Sequence, residues 1–140
     1  MRQGSTAGQA SFEAAWVFAL LFLVLIPMIF VFQRYAAGLS QEIAAQQVVV
    51  IGNNIVASAE TVYYLGEPSR LTLYETFPPG ILNLTLLGAN ELVFTLAGSG
   101  EVVFLAPVGL QGSFAASSFS PGEKRISVEA SGSAVNITIR

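Results

Sequence analysis

One run of nineteen residues without charge extends from Ala14 to Phe32, and a single carboxylate, Glu13, stands directly before it. In an α-helix that rises about 1.5 Å per residue, this run spans about 29 Å, close to the thickness of a bilayer's hydrocarbon core. A carboxylate beside hydrocarbon is unfavourable, so a chain that keeps one there needs a reason from processing or from a partner. Glu13 is therefore the first candidate functional residue.

The composition limits the chemistry that the rest of the 140-residue chain can carry. Histidine, cysteine and aspartate are absent, which removes the usual nucleophile and base pairs of hydrolases, the usual ligands of zinc sites and any disulfide. We therefore expect no enzyme, no metal site and no cofactor. The six basic residues are scattered and form no stripe that would neutralise many phosphates, so no nucleic-acid partner is predicted.

Two general interpretations fit the N-terminal segment. A cleaved secretory signal peptide is disfavoured because Glu13 precedes the apolar run and the bulky Tyr35 stands where cleavage after Ala37 needs a small residue. An uncleaved single-pass membrane anchor accounts for the length of the run. Neither interpretation explains Glu13.

The residues around Glu13 form a more specific pattern. Gln9, Ser11 and Glu13 follow Gly8 and precede the apolar run, with Val17 four positions after the glutamate. This arrangement resembles the class III signal peptide of archaeal type IV pilins, whose motif reads Gln-x-Ser-x-Glu-x-x-x-Leu; Val17 replaces the leucine. The resemblance implies that a membrane-embedded prepilin peptidase cuts between Gly8 and Gln9, removes the leader 1–8 and leaves Glu13 fifth in the mature chain.

The same resemblance implies how the mature chain assembles. Glu13 would pair with the new N-terminal amine of a neighbouring subunit inside an apolar bundle of helices, where an unpaired carboxylate is strongly penalised. Pro27 lies within the apolar run and removes one helical hydrogen bond, so the helix should kink or loosen there, which in pilins of this type lets subunits pack. The implied partners are identical or related subunits, the prepilin peptidase, and the membrane before assembly.

Residue spacing predicts one long helix over 9–65, with the apolar span at 14–32 and an amphipathic part at 40–64. In the second part, Ile43, Val48, Ile51, Ile55, Ala59 and Val62 recur at the spacing of one helix face. Gly66-Glu67-Pro68 should end the helix, because glycine suits the cap and proline cannot continue it.

Beyond Arg70 the apolar period changes to two, which is typical of half-buried strands. We expect strands at 71–77, around Leu82, Leu84 and Leu86, and in two hairpins, 92–97 with 102–106 and 125–130 with 134–139. The predicted fold class is α+β: a long N-terminal hydrophobic helix followed by a small antiparallel β-sandwich or barrel-like head over 70–140, a pilin-like lollipop. Asn83-Leu84-Thr85 and Asn136-Ile137-Thr138 are N-glycosylation acceptor patterns on the polar sides of their strands.

These observations favour a structural subunit of an extracellular archaeal type IV pilus-like filament, assembled through its N-terminal helix and acting in surface adhesion. The precursor would lie in the cell membrane and the mature protein in the filament, with its head outside the cell. The alternative is a single-pass, membrane-anchored extracellular β-domain that binds a ligand and never polymerises. Loss of residues 1 to 8 distinguishes the first class from the second.

Overall fold

The first element of the fold is one long helix, α1, at Thr6–Leu65. The structure is a computed structural model that describes the backbone of residues 6–140 and the side chains of residues 12–140. Helix α1 continues through Pro27, Gly38 and Gly52 without interruption. The chain divides into two compact units, Met1–Leu39 and Ser40–Arg140, so that the second unit contains the C-terminal part of α1 together with all the strands described below.

The C-terminus of α1 is closed by a glycine, as the sequence predicts. Gly66 has a φ of +72°, and its N–H donates to the carbonyl oxygens of Val62 and Tyr63 at 3.1 Å each. This left-handed conformation is the usual cap of a helix, and it satisfies carbonyl groups that the helix itself leaves without partners.

Seven strands follow the helix: β1 (Arg70–Phe77), β2 (Ile81–Leu87), β3 (Glu91–Leu96), β4 (Gly100–Leu105), β5 (Gly109–Gln111), β6 (Gly122–Ser131) and β7 (Ala134–Ile139). A short 3-10 helix at Ala116–Phe119 precedes β6. Sheet A has the order β1-β6-β7-β5, and sheet B has the order β2-β3-β4. The predicted α+β class is confirmed, and the seven strands that the structure describes form two open sheets with no closed barrel.

Both predicted hairpins are present in antiparallel register. In β3 and β4, Leu96 lies opposite Gly100, and in β6 and β7, Ser131 lies opposite Ala134. The period of two holds closely in the second hairpin, where Ile126, Val128, Val135 and Ile137 are all buried. Alternation of apolar and polar residues thus places one face of this hairpin in the core and the other in solvent.

Two expectations about the strands were wrong in detail. The sheets are not purely antiparallel, because the three-residue strand β5 pairs with β7 in parallel. In β2, Leu82 was expected on the buried face with Leu84, but its side chain is 59% exposed. The pairing of β2 with β3 shifts between Ile81 and Asn83, so that Ile81 and Leu84 are buried instead. Such a bulge inserts one residue and changes which side chains share a face.

The core of the second unit combines one face of α1 with both sheets. The helix contributes Val48, Ile51, Ile55, Ala59 and Val62, each at most 3% exposed, as their spacing predicts. Ile43 was expected on the same face but is exposed. The sheets contribute large side chains to the same cluster, among them Phe77, Phe94, Phe104, Ile126 and Ile137. The apolar face of this helical part therefore has its partner within the chain.

Candidate assembly segment and head surface

The N-terminal part of α1 presents apolar side chains on all sides. From Phe12 to Phe32 its large apolar side chains are between 40% and 70% exposed. By length and composition, this helix can cross a membrane. A helix that is apolar all round is stable only where a surrounding medium or other helices cover it. The long apolar helix therefore points to membrane anchoring.

Glu13 lies at the start of this apolar segment with its side chain exposed. Among residues 12–140, whose side chains the structure describes, nothing donates a hydrogen bond to its carboxylate or pairs with it. The backbone of Gly8, Gln9 and Ser11 belongs to α1, and the side chains of Gln9 and Ser11 lie outside that range. Cleavage between Gly8 and Gln9 and the roles of Gln9, Ser11 and Glu13 stay predictions. Any partner for the Glu13 carboxylate must come from outside residues 12–140.

Aromatic and small side chains flank Glu13 on the helix surface. The rings of Phe12 and Trp16 meet edge to face with centroids 6.3 Å apart. Together with Ala15 and Ala19 they line a shallow apolar depression of about 290 Å³. Tryptophan is enriched where helices enter a bilayer, so this end of the segment suits a membrane interface.

Pro27 lies inside α1, and the helix continues on both sides of it. Its ring has no N–H, so one backbone hydrogen bond of the helix is missing at that position. A role for Pro27 in packing between subunits concerns an assembled state and stays a prediction.

The two asparagines of the acceptor patterns lie on different parts of the head. Asn83 is exposed on β2, next to the bulge, and its Oδ1 accepts a hydrogen bond from the backbone N–H of Leu84 at 2.9 Å. Asn136 is exposed on β7, an inner strand of sheet A. Both side chains are open to solvent, and their glycosylation stays a prediction.

A polar groove on sheet A is the surface feature that the sequence analysis missed. It has a volume of about 200 Å³ and is lined by Arg70, Arg125, Arg140, Ser127, Glu129 and Asn136, with Thr138 completing the wall. We call it the arginine groove. Half of the chain's six basic residues meet there, although they are far apart in the sequence. One signal was available: the predicted hairpin 125–130 with 134–139 brings Arg125 and Arg140 to the same open end, where the structure places them opposite each other.

Among residues 12–140, no group of three or more histidine, cysteine, aspartate or glutamate side chains comes together.

In comparisons with known proteins, no family model matches this chain, and no curated protein and no solved structure matches it either. The functional argument therefore depends on the residues themselves.

Proposed function

We propose that this chain is a structural subunit of an extracellular, archaeal type IV pilus-like filament that serves surface adhesion. The observation that carries the proposal is the position of Glu13. Its carboxylate is exposed at the edge of the apolar segment without a partner among residues 12–140. Cleavage between Gly8 and Gln9 would make it the fifth residue of the mature chain, within reach of a neighbour's N-terminal amine.

Assembly supplies what the single chain lacks. In a bundle of such helices, the exposed apolar side chains of residues 12–32 would cover one another. The Glu13 carboxylate would then lie in a medium of low polarity, where it needs an opposite charge. A free amine on the adjacent subunit provides that charge and fixes the axial register between the two helices.

The competing function is a membrane-anchored extracellular binding module that does not polymerise. The apolar helix supports it equally well, because a bilayer covers the same side chains. It gives no reason for Glu13, which a bilayer anchor would tolerate rather than need. Both functions place the head outside the cell, and we assign catalysis to neither.

Replacing Glu13 by glutamine separates the two functions. In cells that make the chain together with a prepilin peptidase, E13Q should insert and lose its leader normally but form fewer filaments, because the buried amine loses its counter-charge at a cost of about 3 to 5 kcal/mol. The measurement is the ratio of sheared filament protein to processed membrane protein. E42Q is the matched control, since Glu42 is an exposed glutamate of the same helix outside the apolar run. Equal ratios in wild type, E13Q and E42Q would remove the assembly role.

Processing is tested separately. Intact mass and N-terminal sequencing of sheared material should show a chain that begins at Gln9. G8V should leave an unprocessed precursor in the membrane, because a β-branched side chain obstructs close approach of the peptidase to the bond. Normal processing of G8V would mean that the cut lies elsewhere, and absence of filaments from wild-type cells that make the protein would favour the anchored module.

A further inference from the structure

The arginine groove lies on the face of sheet A opposite to its core side. In β6 the buried residues Ile126, Val128 and Ala130 alternate with the groove residues Arg125, Ser127 and Glu129. Neighbouring strands place further polar residues in the same rows: Arg70 of β1 lies opposite Glu129, and Thr138 of β7 lies opposite Ser127. The residues of these three strands that alternate with the buried ones thus form one continuous polar surface.

Strand pairing brings the positive charges together. The backbones of Arg125 and Arg140 exchange two hydrogen bonds of 2.9 and 3.0 Å, so these two residues form a directly opposed pair. Cross-strand pairs of like charge are destabilising unless an anion lies between them or water screens them. Arg70 is held over the same surface, because its Nε donates to Ser127 Oγ at 2.7 Å.

The groove has more positive charge than it can neutralise. Its side chains supply three guanidinium groups and one carboxylate, that of Glu129. Within the residues that the structure describes, the guanidinium groups of Arg125 and Arg140 make no hydrogen bond or ion pair. Guanidinium is a planar fork of N–H donors that matches carboxylate and sulfate oxygens. The unused donors therefore point to an anionic ligand.

The other groups in the groove indicate what bears the anion. Ser127, Thr138 and Asn136 offer hydroxyl and amide groups that both donate and accept, which is the chemistry that pairs with sugar hydroxyls. The volume of about 200 Å³ lies below the range of drug-sized pockets, so it suits a single sugar ring rather than a large cofactor. Three cations neutralise too few phosphates for firm binding of a nucleic acid.

We propose that the arginine groove binds the carboxylate or sulfate group of an acidic saccharide, with Arg125 and Arg140 contacting the anion and Ser127, Thr138 and Asn136 contacting the ring. This site would give the head a ligand whether the chain polymerises or stays anchored. The proposal goes beyond filament formation and does not depend on it. Because Asn136 lies in the groove and belongs to an acceptor pattern, a glycan attached there would cover the site.

Binding is measured on the full-length chain in non-ionic detergent, made in a host that does not attach N-glycans. The probe is trigalacturonate, titrated by isothermal calorimetry, and its fully methyl-esterified form serves as the neutral control with the same sugars. We expect the acid to bind and the ester to bind at least about tenfold more weakly, since a charge-assisted hydrogen bond is lost with each carboxylate. Cellotriose sulfate tests the sulfate arm, and inorganic sulfate alone tests whether the sugar contributes.

Substitutions of single arginines distinguish binding in the arginine groove from non-specific attraction of the anionic probe to any positive charge. R125Q and R140Q should each weaken binding about tenfold or more, whereas R34Q removes the same charge outside the groove and should leave it unchanged. E129Q should tighten binding, because it removes the one carboxylate that repels the ligand; a variant that merely damages the fold cannot do this. Unchanged melting curves establish that each variant is folded.

Three outcomes would overturn the proposal: equal binding of acid and ester, equal effects of R34Q and R125Q, or weaker binding by E129Q. If inorganic sulfate binds as tightly as the saccharides, the site recognises an anion without the sugar. If R125Q leaves binding unchanged but reduces the yield of sheared filaments, the groove contacts a neighbouring subunit instead. None of these outcomes bears on Glu13, so failure here leaves the filament proposal intact.

Discussion

Two stretches of helix α1 are rich in apolar residues but have opposite surroundings. Between Phe12 and Phe32 the large apolar side chains are 40% to 70% exposed on every side of the helix. Between Val48 and Val62 the apolar residues of one face are at most 3% exposed, and they pack with the strands in one core. The second stretch finds its partner in its own chain, whereas the first needs a bilayer or other subunits. The buried residues between Val48 and Val62 therefore stabilise the head, whereas the exposed apolar residues between Phe12 and Phe32 are available to attach it to a bilayer or to other subunits.

Cutting the chain between these regions gives the largest expected change. Every buried apolar side chain among the described residues lies between Val48 and Ile139, so the segment 40–140 should contain the whole core. Expressed alone, it should be soluble without detergent, rich in β structure, and close in melting temperature to the full-length chain in detergent. Circular dichroism and sedimentation provide the test. An unfolded or purely helical spectrum would mean that residues 1–39 contribute to the fold of the head.

The next largest effect compares two isoleucines of the same helix. Ile55 is fully buried and Ile26 is 51% exposed. I55A should lower the free energy of unfolding of the head by about 2 to 5 kcal/mol, the usual cost of a buried truncation that leaves a cavity. I26A should leave head unfolding unchanged, because its neighbours are lipid, detergent or other subunits. Urea denaturation followed by the β signal in detergent is the measurement, and similar losses in both variants would contradict the distinction.

The same contrast explains which parts of the structure the sequence predicts. The part of helix α1 between Val48 and Val62 and the hairpin of β6 and β7 are predicted well, because one buried face sets the period of their apolar residues. Strand β2 is predicted less well because a bulge between Ile81 and Asn83 moves Leu82 to the solvent side, and a bulge has no fixed sequence pattern. Strand β5 has only three residues, too few for a period, and its parallel partner β7 is distant in sequence.

The candidate sites divide in the same way. The predicted processing motif is local, because Gly8 to Glu13 and the apolar run that follows them are consecutive in the sequence. The arginine groove combines residues from three strands, and it becomes visible only once the order β1-β6-β7 is known. Val93 gives a further example: it alternates in sequence with the buried Leu92 and Phe94, yet it is itself only 2% exposed. Sequence periodicity assigns a residue to a face, but the neighbours on that face decide its burial.

Alanine substitutions at two glycines of α1 should have smaller effects on stability, and these effects should be opposite in sign. A Cβ atom on Gly52 would overlap the ring of Phe104, whereas one on Gly38 would have nothing within 4 Å. G52A should destabilise the head by about 1 to 3 kcal/mol through overpacking. G38A should cause no loss and should raise helix stability by up to about 1 kcal/mol, because alanine favours a helix.

Helix content and urea midpoints of the two glycine variants are the measurements. In the background of F104L, which replaces the ring by a smaller side chain, G52A should cost less than in the wild type. If its cost is the same in both backgrounds, the Phe104 ring is not what requires glycine at position 52.

The smallest effect concerns one polar contact between α1 and sheet A. Asn54 Nδ2 donates a hydrogen bond to Glu75 Oε1 of β1 at 2.8 Å. Because Asn54 and this bond are exposed to solvent, the bond should contribute at most about 0.5 to 1.5 kcal/mol to the free energy of unfolding. Asn53 is the matched control, because it is the adjacent exposed asparagine on the same helix and has no such bond among the described residues. Alanine improves helix propensity equally at both positions. N53A should therefore be slightly more stable than the wild type, and N54A should be less stable than N53A by the free energy that the hydrogen bond contributes.

In an E75Q background the difference in stability between N53A and N54A should become smaller, because a neutral amide oxygen accepts a hydrogen bond more weakly than a carboxylate. Equal urea midpoints for N53A and N54A would show that this contact contributes nothing to the stability of the head.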